Sequence, residues 1–398
     1  MKQRTIKRSR IFLLLFLGIL FWGSGMKGAA KEEEKLTDSM FYSRGLVLMD
    51  GSSKRVLFGK DEDTAFPMAS TTKIMTLIVA LENSSMEEIV EVSSYAASMP
   101  DVQMNIREGE HYYMKDLLQA LMLESYNDVA VAVAEHVAGS VENFAKMMNQ
   151  KAEQIGCRHT YYLTPNGLDR EDEHGVHSMS AKDLALVMRY GILESEQSEQ
   201  FLEITQTPSC QFFDVEKTRQ FSCINHNALL SMRKDVISGK TGFTGQAGYC
   251  YVGAAKEGDR ILVIALLGCG WPPDKNRKWQ DAGRLLDYGF AQYQQKNLTE
   301  GISVPESIPV EGGYRENVGL EAEIKERWML CREEENISTE QILPKKISAP
   351  VKQGEKVGTI RVLLDGECIE EIQITTKEEI KKQDMKYWFI RFLESALL

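Results

Sequence analysis

Apolar residues recur at helical spacing along four stretches in the first half of the chain. The four helices that this spacing predicts span residues 68–82, 114–138, 141–155 and 181–191. Two short apolar runs precede them, at 45–50 and 55–58, and flank the turn residues Gly51-Ser52-Ser53. Such a pair of runs around a turn predicts a β-hairpin at the start of the domain.

The pattern changes to strands beyond the helices. It predicts a hairpin at 211–222, strands at 248–255 and 260–268, and a closing helix at 278–294. Because strands occur on both sides of a run of helices, we predict an α+β domain over residues 38–296. Its antiparallel sheet would contain strands from both ends of the domain and would be flanked by the helices.

Short apolar segments alternate with turns from residue 298 onward, which predicts a small all-β domain at 302–376. Residues 377–398 predict a separate amphipathic helix, because bulky side chains fall on one face with basic residues nearby. That pattern is typical of a helix lying in a membrane interface, and packing on its own domain is the alternative. The apolar face consists of Met385, Trp388, Phe389, Phe392, Leu393, Ala396 and Leu397.

The N-terminus has the features of an export signal. A basic head over residues 2–10 precedes the apolar run 11–22, and Gly28-Ala29-Ala30 offers a cleavage site. The apolar run is shorter than the roughly 20 residues that a membrane span needs. We therefore predict a cleaved signal peptide at 1–30, with an uncleaved anchor as the alternative, and a mature protein that works outside the cytoplasm.

Composition narrows the classes of partner. The 398 residues carry a net charge of −11, which argues against nucleic acid, since a phosphate binder needs a basic face. The seven cysteines are an odd number, so they cannot all pair within the chain, and they are too dilute for a disulfide scaffold.

Three short sequences carry candidate chemistry. Ser-x-x-Lys occurs three times in the chain, but only Ser70 and Lys73 begin a predicted helix, where spacing of three places both side chains on one face. A neutral Lys73 amine there could accept the hydroxyl proton if burial or a second cation lowers its pKa. Lys240 is the candidate for that second cation.

The other two sequences are Ser125-Tyr126-Asn127 and Lys240-Thr241-Gly242. The first supplies a hydroxyl that can relay a proton and an amide that can hold a carbonyl, and its alternative is an ordinary polar turn. The second is not the end of a phosphate-binding loop, because Lys234 stands where that motif needs glycine. A strand ending in glycine, with Lys240 and Thr241 binding a carboxylate, fits better.

Together these motifs resemble those of serine-type D-alanyl-D-alanine carboxypeptidases, the low-molecular-weight penicillin-binding proteins. The resemblance extends over residues 41–293 and more weakly through the predicted β domain. It implies a catalytic domain like those of penicillin-binding proteins and serine β-lactamases. The segments that carry it are Pro67–Thr76, Leu121–Asp128, Pro165–Leu168, Asp183–Ala185, Asn225–Asn227 and Gly239–Thr244 with Ala247-Gly248.

The resemblance implies catalytic roles for Ser70, Lys73 and Ser125. Ser70 attacks the carbonyl of the penultimate D-alanine of a peptidoglycan stem peptide ending in D-Ala-D-Ala, and Lys73 takes the hydroxyl proton. Ser125 and Lys240 return a proton to the departing D-alanine. Water then releases the acyl-enzyme, and β-lactam antibiotics acylate the same serine.

The resemblance also implies a substrate-binding set without cofactor or metal: Asn127, Lys240, Thr241, Gly242 and Phe243. The backbone N–H groups of the nucleophile and of Phe243 would form an oxyanion hole. The resemblance places the protein on the extracytoplasmic side of the bacterial cytoplasmic membrane or in the cell wall.

Several alternatives stay open at this stage. A class A β-lactamase is disfavoured, because no Glu-x-x-x-Asn segment lies between Asn127 and Lys240. A transpeptidase and a non-catalytic wall- or penicillin-binding protein remain.

Five further residues raise side questions. Relatives usually carry glycine where Tyr126 stands, so a bulky side chain is expected at the cleft edge. His174 and His177 offer a weak alternative as metal ligands beside an acidic cluster. Cys210 and Cys223 flank the predicted hairpin symmetrically and are a hypothetical disulfide pair.

Overall fold

The computed structural model describes residues 35–396, so the predicted signal peptide at 1–30 lies outside the described residues. Every described helix and strand belongs to a compact unit that begins at Asp38. Two 3-10 turns lie at Asp38–Met40 and Ala69–Thr72. The α-helices are α1 (Lys73–Asn83), α2 (Ser94–Ala97), α3 (Met114–Leu123), α4 (Asn127–Ala138), α5 (Val141–Ile155), α6 (Ala181–Leu193), α7 (Ser198–Gln206), α8 (Leu229–Met232), α9 (Arg277–Gln292) and α10 (Met385–Ala396).

The strands fall into two groups along the chain, one on each side of α9. The first group is β1 (Gly45–Asp50), β2 (Val56–Lys60), β3 (Ala65–Phe66), β4 (Ile89–Glu91), β5 (His111–Tyr113), β6 (Thr160–Tyr161), β7 (Glu171–Asp172), β8 (Gly175–Val176), β9 (Ser178–Ser180), β10 (Ser209–Phe213), β11 (Gln220–Ile224), β12 (Val236–Thr244), β13 (Gly248–Glu257) and β14 (Arg260–Leu267). The second is β15 (Gln294–Asn297), β16 (Ser307–Glu311), β17 (Asn317–Glu321), β18 (Trp328–Cys331), β19 (Ile337–Ile342), β20 (Ile347–Ser348), β21 (Lys356–Leu364) and β22 (Glu367–Thr376).

A five-stranded antiparallel sheet joins the two ends of the first group, in the order β12-β13-β14-β1-β2. β1 pairs with β14 so that Leu46 lies opposite Leu266. This arrangement confirms the predicted α+β class and the predicted sheet built from strands at both ends of the domain. β12 is an edge strand, so one of its sides is open to the helical part of the molecule.

The central helix of this part is α1, which is buried from Lys73 to Leu81. Its apolar residues join one large hydrophobic core with side chains from α3, α4, α5 and α6 and from the sheet. Burial on all sides explains why the helix is apolar around its circumference rather than amphipathic. A lysine at its first position is consequently removed from water.

The second group of strands forms a smaller β part with its own core. A six-stranded sheet runs in the order β19-β21-β22-β17-β16-β20, and β15 pairs with β18 beside it. Buried side chains from Leu298 to Ile380 fill its interior. Asp50, at the end of β1, accepts a hydrogen bond from the Leu330 backbone N–H at 3.0 Å, which ties this part to the first sheet.

Several elements differ from the predictions, and the short helices α2 and α8 were not predicted. The helix predicted at 114–138 is divided into α3 and α4, because Ser125 has a positive φ of 68° that no α-helix accommodates. The helix predicted at 278–294 ends at Gln292, and the next residues form β15. α7 was not predicted.

The C-terminal helix occupies only Met385–Ala396. The segment before it packs on the β part, where Ile380 is buried and pairs with Val351. Within residues 35–396, no helix combines the length and the apolar character that crossing a membrane requires.

Candidate active site

The predicted nucleophile lies in the 3-10 turn that leads directly into α1. Thr71 Oγ1 donates to the Met68 carbonyl at 2.6 Å, and Thr72 Oγ1 donates to the Ala69 carbonyl at 2.8 Å. Both hydroxyls donate to carbonyl groups three residues earlier, which ties the side chains of the turn to its own backbone. The turn places Ser70 half-buried at the surface of a groove, one helical turn before Lys73.

Lys73 is fully buried, and its Nζ has three oxygen neighbours. These are Ser70 Oγ at 3.0 Å, Asn127 Oδ1 at 2.9 Å and the Asn166 carbonyl oxygen at 2.6 Å. A neutral amine has two N–H donors and one lone pair. The two carbonyl-type oxygens can therefore take both N–H groups, which leaves the lone pair for the hydroxyl of Ser70.

Electrostatics favour that neutral form. Burial lowers the pKa of Lys73 well below its usual 10.5, and the nearby positive charge of Lys240 lowers it further. Asp128 acts in the opposite direction but more weakly. The amine is therefore poised to accept a proton rather than to lose one.

Lys240 is the second buried amine of the site, on strand β12. Its Nζ donates to Ser125 Oγ at 2.9 Å and to the Thr241 carbonyl at 3.0 Å. Burial lowers its pKa to about 7. Ser125 occupies the bend between α3 and α4, so the break in the helix is what aims its hydroxyl at Lys240.

Asn127 connects the lysine of the nucleophile segment to a neighbouring loop. Its Oδ1 accepts from Lys73, while its Nδ2 donates to the carbonyls of Pro100 and Asp101 at 3.2 and 3.0 Å. Its backbone N–H donates to the Val102 carbonyl. In this state the amide has used its hydrogen-bonding groups within the protein, so Asn127 orients Lys73.

The edge of β12 approaches the nucleophile turn closely. A Cβ added at Gly242 would lie 2.9 Å from the Ser70 nitrogen and 3.0 Å from the Thr71 nitrogen. Only glycine permits this approach of two backbones. Thr241 and Gly242 line the groove beside Ser70, and Phe243 is 43% exposed at its rim.

The groove has a volume of about 550 Å³ and brings together residues that lie far apart in the sequence. It contains the predicted Ser70, Ser125, Thr241, Gly242 and Phe243. Sequence reasoning assigned no role to its other lining residues, although His226 lies in Asn225–Asn227, one of the segments that carry the family resemblance. Those lining residues are Val102, His226, Ala228, Tyr249, Lys275, Asn276, Lys278 and Trp279.

Asn166 and His177 support the nucleophile turn, and both lie in segments that the sequence analysis had already singled out. The Asn166 carbonyl comes from the predicted loop at Thr164–Gly167, where Gly167 has φ of 84° and a Cβ would lie 2.0 Å from the Ala69 carbonyl oxygen. His177, considered above as a metal ligand, is buried, and its Nδ1 accepts from the Leu163 N–H. Its Nε2–H therefore donates to Thr72 Oγ1 at 2.9 Å and braces the nucleophile turn.

Burial lowers the pKa of His177 to about 3, so the ring is neutral in that bracing role. Within the described range 35–396, no group of three or more His, Cys, Asp or Glu side chains is arranged to hold a metal ion.

Tyr126 and the two hairpin cysteines lie outside the groove. Tyr126 is half-buried and packs against the hydrophobic core. Cys210 and Cys223 lie directly opposite each other in the β10–β11 register, as their spacing indicated, and both are free thiols.

The site combines a serine hydroxyl hydrogen-bonded to the buried amine of Lys73, a second buried amine at Lys240, and the strand edge at Gly242. This combination is typical of a serine acyl-transfer enzyme. The sequence profile described as D-alanyl-D-alanine carboxypeptidase matches residues 31–269. A second profile, the C-terminal domain of penicillin-binding protein 5, matches residues 293–382. The chain belongs to the D-alanyl-D-alanine carboxypeptidase family, and it is a serine-type peptidase of the low-molecular-weight penicillin-binding class.

Several known proteins are similar to this chain over most of its length. The D-alanyl-D-alanine carboxypeptidase DacF of Bacillus subtilis is 29% identical over 397 residues, which cover 98% of both chains. DacB2 of Mycobacterium tuberculosis is 32% identical over 63% of this chain and 84% of its own. The crystal structure of penicillin-binding protein 5 from Haemophilus influenzae covers 87% of this chain and all of its own, with 25% identity and a TM-score of 0.70.

Because the backbone at Gly242 lies so close to the nucleophile turn, a single added methyl group at this position should strongly slow acylation. Gly242→Ala should slow acylation by penicillin by roughly 100-fold, because the strand and the nucleophile turn must separate by a fraction of an ångström or more. Stopped-flow acylation with a fluorescent penicillin measures the rate. Gly245→Ala is the matched control, since a Cβ there meets nothing within 4 Å; equal rates for both variants would contradict the account.

The lowered pKa of Lys240 predicts a pH dependence of stability. Between pH 7 and 10.5 the unfolded chain binds a proton at this lysine that the native state has lost, so the free energy of unfolding rises with pH, by about 1.4 kcal/mol per unit. Lys240→Met should reduce the slope by about that amount, leaving the contribution of the neutral Lys73, and be more stable than the parent near pH 7. Urea unfolding at pH 7, 8 and 9 measures it, with the exposed Lys234→Met as control. An unchanged slope in Lys240→Met would refute a neutral native lysine.

Proposed function

We propose that the protein removes the terminal D-alanine from peptidoglycan stem peptides through an acyl-enzyme on Ser70. The observation that carries this proposal is the 3.0 Å contact between Ser70 Oγ and the buried Nζ of Lys73. A hydroxyl is a weak nucleophile until a base takes its proton. A neutral Lys73, whose two N–H groups are hydrogen-bonded to Asn127 and Asn166, is suited to be that base.

In the acylation step the oxygen of Ser70 attacks the carbonyl carbon of the penultimate D-alanine while its proton moves to Lys73. The negative charge that develops on the carbonyl oxygen would be held by the backbone N–H groups of Ser70 and Phe243. A donor of this kind contributes roughly 3 kcal/mol to transition-state stabilisation in other enzymes. The close approach of β12 to the nucleophile turn supports this assignment.

Collapse of the tetrahedral intermediate breaks the peptide bond and requires a proton on the departing amine. Ser125 is suited to deliver it, because its hydroxyl accepts a hydrogen bond from Lys240 and lies in the same groove as Ser70. Lys240 and Thr241 would bind the C-terminal carboxylate of the substrate. Lys278 adds a further positive charge along the wall, where it lies 4.7 Å from the centre of the Tyr249 ring.

The proton that Lys73 received from Ser70 would pass to Ser125 and replace the one given to the departing amine, which restores the neutral amine of Lys73. Water would then attack the ester carbonyl while Lys73 takes its proton. That proton would return to the oxygen of Ser70 as the ester bond breaks and the shortened peptide leaves. A β-lactam would acylate Ser70 by the same first step, because its strained amide presents a carbonyl and a carboxylate to the same groups. Asn127 would act chiefly by holding Lys73 in place.

We also propose the domain division that the sequence predicts: a signal peptide at 1–30, a catalytic domain at 38–296, a β domain at 302–376 and a membrane-associating segment at 377–398. The protein would work on the outer face of the cytoplasmic membrane. The exposed apolar side chains of α10 support the last assignment: Met385, Trp388, Phe389, Phe392 and Leu393 are 43–89% exposed. The helix begins beside the β domain, where Tyr387 contacts Tyr314.

Replacing the nucleophile should abolish both reactions. Ser70→Ala should release D-alanine from diacetyl-Lys-D-Ala-D-Ala roughly 10⁴-fold more slowly and form no penicillin adduct, because within residues 35–396 no other hydroxyl is hydrogen-bonded to Lys73. Ser231→Ala is the matched control, since Ser231 begins a Ser-x-x-Lys sequence outside the groove. Mass spectrometry locates the adduct, and labelling that persists in Ser70→Ala would contradict the assignment. Labelling of the parent protein without release of D-alanine would favour a binding protein.

The C-terminal helix predicts membrane binding by its apolar face. The mature chain should sediment with phosphatidylglycerol vesicles, and Trp388→Ser with Phe392→Ser should weaken this by roughly tenfold or more, since both large side chains leave the interface. Glu394→Gln, on the polar side, serves as the control. Equal sedimentation of the double variant and the parent would refute membrane association through this face.

A further inference from the structure

The open edge of β12 can take up an extended peptide, because some of its backbone groups point away from the sheet. Phe243 lies opposite Tyr249 in the β12–β13 pair. The Tyr249 N–H donates to the Gly270 carbonyl at 2.9 Å, and the Tyr249 carbonyl accepts from the Cys269 N–H at 2.7 Å, so both groups bond away from β12. Because antiparallel pairs alternate between hydrogen-bonded and non-hydrogen-bonded, the N–H and C=O of Phe243 point to the open edge.

The proposed function sets the register of the substrate on this edge. In that function the Phe243 N–H holds the carbonyl of the penultimate D-alanine, and the C-terminal carboxylate lies at Lys240 and Thr241. The peptide therefore runs antiparallel to β12, with the penultimate D-alanine opposite Phe243 and the terminal D-alanine opposite Gly242. The residue that precedes the two D-alanines then lies opposite Thr244, about 3.3 Å further along the strand.

The hydroxyl of Thr244 connects this position to the carboxylate of Asp169. Thr244 shares one face of β12 with Lys240 and Gly242, because alternate residues of a strand point to the same side. Its Oγ1 donates to Asp169 Oδ1 at 3.0 Å and accepts from the Ala247 N–H at 3.0 Å. Side chains of directly opposite residues also share a face, with Cβ atoms about 5 Å apart. The side chain of the residue before D-Ala-D-Ala is therefore directed toward Asp169.

Asp169 is held in position and keeps one oxygen available. Gly167, two residues earlier, is packed against the nucleophile turn, where a Cβ would lie 2.0 Å from the Ala69 carbonyl oxygen. The hydroxyl of Thr244 fixes the carboxylate from the strand side. Among residues 35–396, Asp169 Oδ2 accepts no hydrogen bond and Asp169 forms no ion pair, and its side chain is exposed. The carboxylate can therefore accept hydrogen bonds from an incoming ammonium group.

We propose that Asp169 is a specificity-determining residue that binds the free side-chain amine of the residue before D-Ala-D-Ala. The substrate class is a stem peptide whose diamino acid carries an unmodified ammonium group. Peptides in which a cross-link or an acyl group has removed that charge are poorer substrates. The inference rests on the proposed function, which sets the register of the peptide. A lysine-type side chain, with its flexible four-carbon stem, can reach the carboxylate from a position opposite Thr244.

Competition between peptides tests the preference for the ammonium group. Nα-acetyl-Lys-D-Ala-D-Ala and diacetyl-Lys-D-Ala-D-Ala are mixed with the parent protein, and mass spectrometry of the two shortened products gives the ratio of their kcat/KM values. The free amine should be favoured roughly fivefold in dilute buffer, as expected for an exposed ion pair, and less in about 1 M salt. Nα-acetyl-norleucyl-D-Ala-D-Ala, which lacks both the amine and the bulk of the second acetyl group, should compete as poorly as the diacetyl peptide.

Two variants test whether the preference belongs to this carboxylate. Asp169→Asn should abolish it, because the amide keeps the shape and the oxygen that accepts from Thr244 but lacks the charge. Glu171→Gln is the matched control, since it removes one negative charge at an exposed position two residues away, and it should keep the preference. A competition ratio does not depend on the fraction of protein that is active, so partial misfolding of a variant cannot imitate the result.

The outcomes separate this inference from the proposed function. Equal use of the charged peptide and of either neutral peptide by the parent, with D-alanine still released, would overturn the role of Asp169 and leave the proposed function standing. A preference that survives in Asp169→Asn, or that Glu171→Gln lowers equally, would also overturn it, because the ammonium group would then respond to other charges. Absence of D-alanine release from every peptide would instead overturn the proposed function, and with it the register on which this inference rests.

Discussion

The hydrogen bonds of one buried amine determine most of this site. Lys73 can remain neutral inside the protein only because burial disfavours its charge and because oxygen atoms accept both of its N–H groups. Those oxygens come from α4 and from the loop that contains Asn166. Asn127 and the Asn166 carbonyl together take both N–H groups of Lys73, so the nitrogen lone pair is directed at the hydroxyl of Ser70.

Close contact between backbones supports that arrangement. The nucleophile turn lies between the β12 edge and the loop at Gly167, and at both contacts a side chain larger than hydrogen would collide with main-chain atoms. His177 adds a brace from behind, through Thr72, without taking part in proton transfer. Rigidity of this kind keeps the reacting groups near their working distances before substrate arrives, which lowers the entropic cost of reaction.

Much of this could be predicted from sequence, and the reasons differ from residue to residue. Ser70 and Lys73 are three residues apart, so their proximity follows from helix geometry alone. The glycine of the β12 motif was interpreted as the end of a strand, whereas β12 continues to Thr244 and Gly242 lies against the nucleophile turn. The break between α3 and α4 could not be predicted from apolar periodicity, because it depends on a positive φ at Ser125 that only the folded environment stabilises.

The roles of other groups could not be predicted from residue type alone. The Asn166 carbonyl belongs to the backbone, so residue type does not reveal its role. His226 and Lys278 enter the groove from segments whose place depends on long-range pairing of β12, β13 and α9. Tyr126, which lies between Ser125 and Asn127 in sequence, packs against the core. Adjacency to Ser125 in sequence therefore did not predict the packing of Tyr126. The positions of His226 and Lys278 in the groove could not be predicted because they lie far from Ser70 in sequence.

The central claim is that the amine of Lys73 is uncharged in the resting protein at neutral pH. NMR of the protein labelled with ¹³C at the lysine ε-carbon measures this directly, with Lys73→Met assigning the signal. The account predicts a chemical shift typical of a neutral amine at pH 7, with protonation only in more acidic solution. A Lys73 signal that stays in its protonated position until about pH 10, as an exposed lysine does, would contradict it.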